Sequence, residues 1–273
     1  MPCIYREFYG LRDAPFNITP DPRFLFFTDK HREAINHMLF GITEGKGFIQ
    51  VTGEVGSGKT TVCRALLDRL GSEYRTALIL NPCMTVTQLL KVIVDELGLT
   101  PRRKDRVHLL EALNEYLLEQ VAEGNRVVLI IDEAQGLSLE LLEQVRLLSN
   151  LETDQEKLLQ ILLLGQPELR EKLNDRRLRQ LRQRITVRYH LPPLSRYEVD
   201  YYIRHRLHVS GGNGQPSFTR GAVRKIYRYS KGIPRLVNAV CDKALLCGFV
   251  AGTDQLRCRH VGRAIRELEG RHT

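Results

Sequence analysis

Five apolar runs punctuate the first two-thirds of the chain, at residues 48–52, 76–80, 127–131, 159–164 and 185–190. We read each as apolar throughout rather than alternating, the pattern of parallel strands covered on both faces. Helical periods separate them. Val86, Leu89, Leu90, Ile93, Val94 and Leu97 follow i, i+3, i+4, i+7 spacing, and Leu110, Leu113, Leu117 and Val121 form a second stripe. The stripes end near Gly98 and Gly124, residues suited to a left-handed helix stop. Strands alternating with helices of this length predict an α/β fold, with a parallel sheet between two helical layers. After residue 190 the strand pattern stops, and Pro192 and Pro193 break the regularity. Ser195 and Glu198 then spell a capping box ahead of a helix that buries Val199, Ile203 and Leu207. Residues 210–217, with three glycines and Pro216, read as a loop, and further helices start near Thr219, Arg235 and Arg259. The predicted organisation is a three-layer α/β core with an N-terminal arm over residues 1–192 and a small all-helical domain over 193–273.

Composition narrows the class. A chain of 273 residues with 42% hydrophobic and 27% charged residues has material for a real core and is neither disordered nor fibrous. No apolar run approaches the roughly 18 residues a membrane helix needs, and residues 1–10 contain no signal-peptide core. A cytoplasmic protein is therefore expected. The six cysteines include no C-x-x-C pair, which suits reduced, buried thiols, and His205, His208, Cys258 and His260 lack zinc-ligand spacing.

Charge is divided unevenly. Residues 1–169 carry 18 basic and 24 acidic side chains, whereas residues 170–192 carry 8 and 2 and residues 193–273 carry 15 and 6. The excess that gives the chain its net charge of +9 is thus C-terminal. Such asymmetry fits an anionic partner, whether nucleic acid, an acidic membrane surface or a neighbouring subunit, and equally fits a solvated basic face.

Two motifs carry chemistry. Gly53, Gly58, Lys59 and Thr60 complete G-x-x-x-x-G-K-[ST] between a strand and a helix that continues through Thr61. The expected phosphate cradle comprises Gly53, Glu54, Val55, Gly56, Ser57, Gly58, Lys59, Thr60 and Thr61, with backbone N–H groups and a helix N-terminus turned to the phosphates of ATP. Lys59 would reach the β- and γ-phosphates and Thr60 would ligate Mg²⁺. The second motif is the apolar run 127–131 ending in Asp132 and Glu133. Alternation along a strand sends these carboxylates apart, so Asp132 is expected to hold Mg²⁺ through water and Glu133 to polarise the attacking water. The run 76–80 intervenes between the motifs in sequence. With the Glu directly after the Asp, it favours the hydrolytic branch of P-loop proteins over the nucleotide kinases.

Further residues give the pattern a family. Phe8–Leu11, Pro15, Phe16 and 20–24, the P-loop, Asp132–Gln135, Leu148–Glu152, Gly165–Leu169 and Gly232–Arg235 together resemble the AAA+ ATPases of the general secretion pathway protein A family, which are related to ATPases that assist transposition. The resemblance implies a P-loop NTPase (AAA+) core followed by a helical lid. It implies a sensor at Gln166, for which a plain strand-end amide is the alternative, and a second sensor at Arg235. Arg184, crowded by Arg179 and Arg182, resembles the arginine finger offered to a neighbouring subunit. Asn81 would restrain Glu133, or simply form a turn before Pro82. Residues 15–27 lie where relatives hold adenine, or form a packed arm.

The function implied is Mg²⁺-dependent ATP hydrolysis by a homo-oligomer, ring or filament, that powers assembly of a secretion or pilus-type cell-envelope complex. The alternative is an ATP-dependent regulator of transposition type, whose basic C-terminal half grips DNA without reading sequence. A small-molecule kinase would need neither Arg184 nor Arg235. Full-length secretion relatives add a membrane helix and a cell-wall-binding region, so this chain reads as a short member or an excised ATPase domain, at most peripheral at the inner membrane.

Overall fold

The computed structural model describes residues 4–17, 21–80, 82–152 and 157–271. In chain order the first elements are α1 (Tyr5–Tyr9), α2 (Asp29–Thr43), β1 (Phe48–Gly53), α3 (Lys59–Leu67), β2 (Tyr74–Ile79), α4 (Val86–Glu96), α5 (Arg106–Ala122) and β3 (Arg126–Ile131). There follow α6 (Leu139–Leu148), β4 (Leu159–Gly165), α7 (Pro167–Lys172), α8 (Arg179–Arg184), β5 (Ile185–Leu191) and α9 (Arg196–Val209). The last are β6 (Ser217–Phe218), α10 (Arg220–Ser230), α11 (Pro234–Val250), β7 (Gln255–Leu256) and α12 (Cys258–Leu268). They fall into two compact units: Asp29–Gly53 with Lys59–Leu191, and Met1–Thr28 with Glu54–Gly58 and Pro192–Thr273.

The first unit is built on a parallel sheet of order β2-β3-β4-β1-β5. Alternate strand residues, among them Ile79, Leu129, Ile131, Ile161 and Leu163, bury against Leu90, Ile93, Leu113 and Val145 of α4, α5 and α6. On the other face run α2 and α3, and α2 comes so close that a Cβ at Gly41 would meet the Ile49 side chain at 2.5 Å. This is the expected α/β sandwich, with two adjustments. The strand lying between the P-loop strand β1 and the acidic strand β3 is β4, while β2, which intervenes in sequence, sits at the sheet edge. The run ending in His190 is also not buried throughout: Thr186, Arg188 and His190 of β5 are exposed, because β5 forms the opposite edge.

The second unit packs α9, α10, α11 and α12 around Val199, Ile203, Ile226, Val240, Ala244 and Val261. The predicted capping box is present: Ser195 N–H donates to Glu198 Oε2 at 2.6 Å and Glu198 N–H to Ser195 Oγ at 3.3 Å. Gly232 takes a left-handed φ of 82°, and a Cβ there would lie 1.9 Å from the Leu194 carbonyl oxygen, so only glycine fits this turn. The unit is not purely helical, since the expected loop ends in β6, which pairs in parallel with β7. Nor does the N-terminal arm belong with the α/β core. Tyr5, Tyr9, Leu11 and Phe16 bury in the helical unit's core, where Tyr9 hydroxyl donates to the Leu245 carbonyl at 2.9 Å. Among the described residues, no helix is long and apolar enough to cross a membrane.

Arg206 fastens the arm. Its guanidinium is buried, donates to the Pro15 carbonyl and to the Tyr202 hydroxyl at 2.9 Å, and lies over the Phe24 ring. Tyr202 in turn donates to Asn238 Oδ1 at 2.9 Å. Replacing Arg206 by Met keeps the apolar stem but strands the Pro15 carbonyl, which should destabilise the unit by about 1–3 kcal/mol. The expected result is a lower urea midpoint with the arm newly open to protease; an unchanged midpoint contradicts the assignment.

Candidate functional site

The glycine-rich loop begins where β1 ends. Gly56 and Gly58 adopt φ of 76° and 102°, conformations that a side chain would strain. Ser57 N–H turns back to the Glu54 carbonyl at 3.0 Å, and the buried Ser57 hydroxyl has no hydrogen-bond partner among the described residues. A polar atom buried without a partner is costly, and an anionic oxygen would complete it. The loop leads into the N-terminus of α3, where unpaired N–H groups favour negative charge.

Within the α/β unit, Lys59 at the start of α3 is buried, its ammonium donating to the Gly53 carbonyl at 2.8 Å. Next to it, Thr60 hydroxyl donates to Asp132 Oδ2 at 2.5 Å. Asp132 is only 3% exposed, at the end of β3, and its other oxygen accepts the Glu133 N–H at 2.8 Å. The chain then turns sharply. Glu133 has a left-handed φ of 53°, uncommon for a residue with a side chain and worth about 1–3 kcal/mol of strain.

That turn aims Glu133 away from Asp132 and toward the end of β4. Glu133 Oε2 accepts the side-chain amides of Gln135 and, at 2.9 Å, of Gln166. Burial pushes the Glu133 carboxyl up, but these two amides and the Lys59 charge outweigh it and hold the group below the usual glutamate range. Gln166 N–H also donates to Gln135 Oε1 at 2.9 Å. Lys172 of α7 anchors the same segment through the carbonyls of Gln135 and, at 2.8 Å, Leu137. Cys63, buried on α3, is inert: burial first, then the Asp132 charge, push its thiol up to about 12.

The remaining predicted residues are spread more widely. Thr61 is half-buried on α3, whereas Glu54 and Val55 are exposed. Arg184 ends α8, half-buried, with Nη1 donating to Ser149 Oγ at 2.6 Å. Ser149 caps the C-terminus of α6 and donates to the Arg146 carbonyl at 2.7 Å. Arg182 instead meets Asn174 Oδ1 at 3.3 Å, and Arg179 is exposed. In the helical unit, Arg235 at the start of α11 lies against Gly56, so close that a Cβ on Gly56 would sit 2.4 Å from the Arg235 Cβ. Asn81 lies outside the described residues; among those described, the side-chain donors on Glu133 are Gln135 and Gln166. Sequence reasoning quoted Gln135 only as part of a family string and gave it no role. The available signal was an amide two residues beyond the acidic pair.

The donor set suits magnesium and nucleotide phosphates. In the α/β unit, a buried ammonium and a hydroxyl–carboxylate pair of hard oxygens are groups such a ligand requires; in the other unit, the lone Ser57 hydroxyl and two glycines free of side chains suit a phosphate oxygen.

Comparison with known proteins places the chain in a family. The family described as AAA domain matches residues 42–173. General secretion pathway protein A of Aeromonas hydrophila is 47% identical over 268 residues, which are 98% of this chain and 49% of that protein. The chain therefore spans about half the length of this curated relative. Among solved structures, the Aeropyrum pernix ORC2 protein in its ADPNP–ADP complexes matches 97% of this chain and 74% of its own, with a TM-score of 0.66 and 19% identity. The Drosophila ORC bound to DNA matches 97% of this chain and 65% of its own, with a TM-score of 0.70 and 19% identity. At such identities these two structures speak to the fold alone.

Proposed function

The chain belongs to the AAA+ P-loop family as a relative of general secretion pathway protein A, and on that premise we propose that it is a Mg²⁺-dependent ATPase acting between copies of itself. The observation that carries this reading is the separation of two adjacent carboxylates, Asp132 onto the P-loop threonine and Glu133 onto the amides of Gln135 and Gln166. One strand end thus divides metal holding from base catalysis.

In the proposed mechanism, the N–H groups of the loop and of α3 bind the phosphates, and Ser57 gains the partner it lacks. Lys59 passes from the Gly53 carbonyl to a phosphate oxygen. Thr60, with Asp132 behind it, would hold Mg²⁺, which would supply neutralisation of phosphate charge. Glu133 takes the proton of the attacking water and Gln166 orients that water. Arg235, beside Gly56, serves as the lid sensor. Arg184 serves as the finger for a neighbouring copy, its guanidinium held ready by Ser149, and such a finger contributes about 10³–10⁵ in rate. The output is assembly of a secretion-type cell-envelope complex, with the ATPase at the cytoplasmic side of the inner membrane and organised as a ring or filament. The name of the curated relative, of which the chain spans half, supports only the secretion part of this reading.

A second reading has its own observation. Helix α10 contains Arg220, Arg224, Lys225, Arg228 and Lys231 at or just beyond its end and no acidic residue. Arg220, Arg224 and Arg228 are exposed four residues apart, on one helix face. A row of arginines without ion-pair partners among the described residues matches a phosphate backbone.

Two experiments follow. Glu133→Gln should bind ATP with near-normal affinity while losing turnover about 10²–10⁴-fold. Arg184→Ala should lose turnover alone, and mixing it with Glu133→Gln should restore part of the rate, because mixed neighbours join an intact finger to an intact base. If mixing restores nothing under assembling conditions, the finger in trans is wrong. For the second reading, duplex DNA binding should fall steeply between 50 and 200 mM salt, roughly as expected for several neutralised phosphates. Replacing Arg220, Arg224 and Arg228 by Ser should flatten that slope by about 2–3; no complex even at low salt removes the reading.

A further inference from the structure

The Glu133 carboxylate is bound asymmetrically. Both amides, Gln135 Nε2 and Gln166 Nε2, donate to Oε2, and no hydrogen bond reaches Oε1 among the described residues. Gln135 makes a further bond, since its Oε1 accepts the backbone N–H of Gln166 at 2.9 Å. Three residues from two strand ends therefore close a cycle: Glu133 to Gln135, Gln135 to the α7 N-cap, and the Gln166 side chain back to Glu133.

Several features keep this cycle in place. Gly136 N–H donates to the Glu133 carbonyl at 2.8 Å, forming the tight 3₁₀ turn Ala134–Gly136 that brings the Gln135 side chain back over Glu133. Lys172 fixes the Gln135 carbonyl from α7. Gly165 leaves the room: a Cβ there would stand 3.1 Å from Gln135 Oε1 and 2.7 Å from Leu169 Cδ2. A carboxylate on a left-handed turn has two equivalent oxygens and a rotatable stem, so nothing in its own backbone selects which oxygen meets water. The amide pair makes that selection.

We propose that Gln135 is a positioning residue for hydrolysis, which engages Glu133 Oε2 so that Oε1 is left for the attacking water and which ties Gln166 to the same carboxylate. The proposal rests on the ATPase reading of the site. Gln135 does not touch nucleotide in this account; it acts through Glu133 and through the α7 N-terminus that carries Gln166. Gln135 and Gln166 thus form one unit, and removal of either leaves the other holding a carboxylate with freedom to swing.

The test is kinetic. Gln135→Met keeps the length of the side chain without its donor or acceptor, and Gln135→Glu keeps an acceptor for the Gln166 N–H while losing the donor. Both should lower kcat by about tenfold or more, the scale of a misplaced catalytic group. The dissociation constant of a fluorescent ATP analogue and the thermal midpoint should stay near wild type. Combining Gln135→Met with Gln166→Ala should cost clearly less than the product of the single losses, because both act on one carboxylate. An unchanged kcat, a matching loss of affinity and thermal midpoint, or full multiplicativity overturns the positioning role. If the unmodified chain shows no Mg–ATP turnover, the ATPase reading fails instead, and the two failures are told apart by the wild-type control.

Discussion

The bond between Thr60 and Asp132 is the interaction on which the candidate site depends. Asp132 stands at the inner end of a strand buried on both faces, where a lone carboxylate would lose its hydration without return. Thr60 and the Glu133 N–H supply its donors. The first ties the end of β3 to the first turn of α3, and hence to the residues that follow the glycine loop. The second bends the chain into the left-handed turn that sends Glu133 toward β4. Satisfying one buried carboxyl therefore sets the positions of both the helix that carries Lys59 and the Glu133 side chain.

The sheet order makes this economical. With β4 between β1 and β3, the ends of three adjacent strands carry Gly53, Gln166 just beyond Gly165, and Asp132 with Glu133. Strand ends aligned in register bring together residues far apart in sequence, and parallel α/β sheets place their ligands at this edge. Gln166 then serves two geometric purposes, as N-cap of α7 and as amide donor to Glu133.

What the sequence made legible follows from how local each signal is. Strands β1, β3 and β4 announced themselves because burial on both faces favours apolar residues at most positions, with Gln50, Thr52 and Gln160 as buried polar exceptions. Edge strand β5 was also read in its place but as apolar throughout, whereas Thr186, Arg188 and His190 answer to solvent on one side. The glycine loop was legible because left-handed backbone at Gly56 and Gly58 restricts the residue type. The N-terminal arm was misplaced for the opposite reason. Tyr5, Tyr9, Leu11 and Phe16 follow no long period, and the core they enter is built by helices nearly 200 residues later. Gln135 was missed likewise, because its partners include a backbone N–H 31 residues away.

The central claim, that this cluster is an ATPase site, is tested most directly by steady-state ATP hydrolysis of the unmodified chain across protein concentration, with Mg²⁺ or with excess chelator, beside Lys59→Ala. The account predicts a Mg²⁺-dependent rate per subunit that rises with protein concentration and is absent in Lys59→Ala. A rate that is nil at every concentration, or that persists in Lys59→Ala, would contradict it.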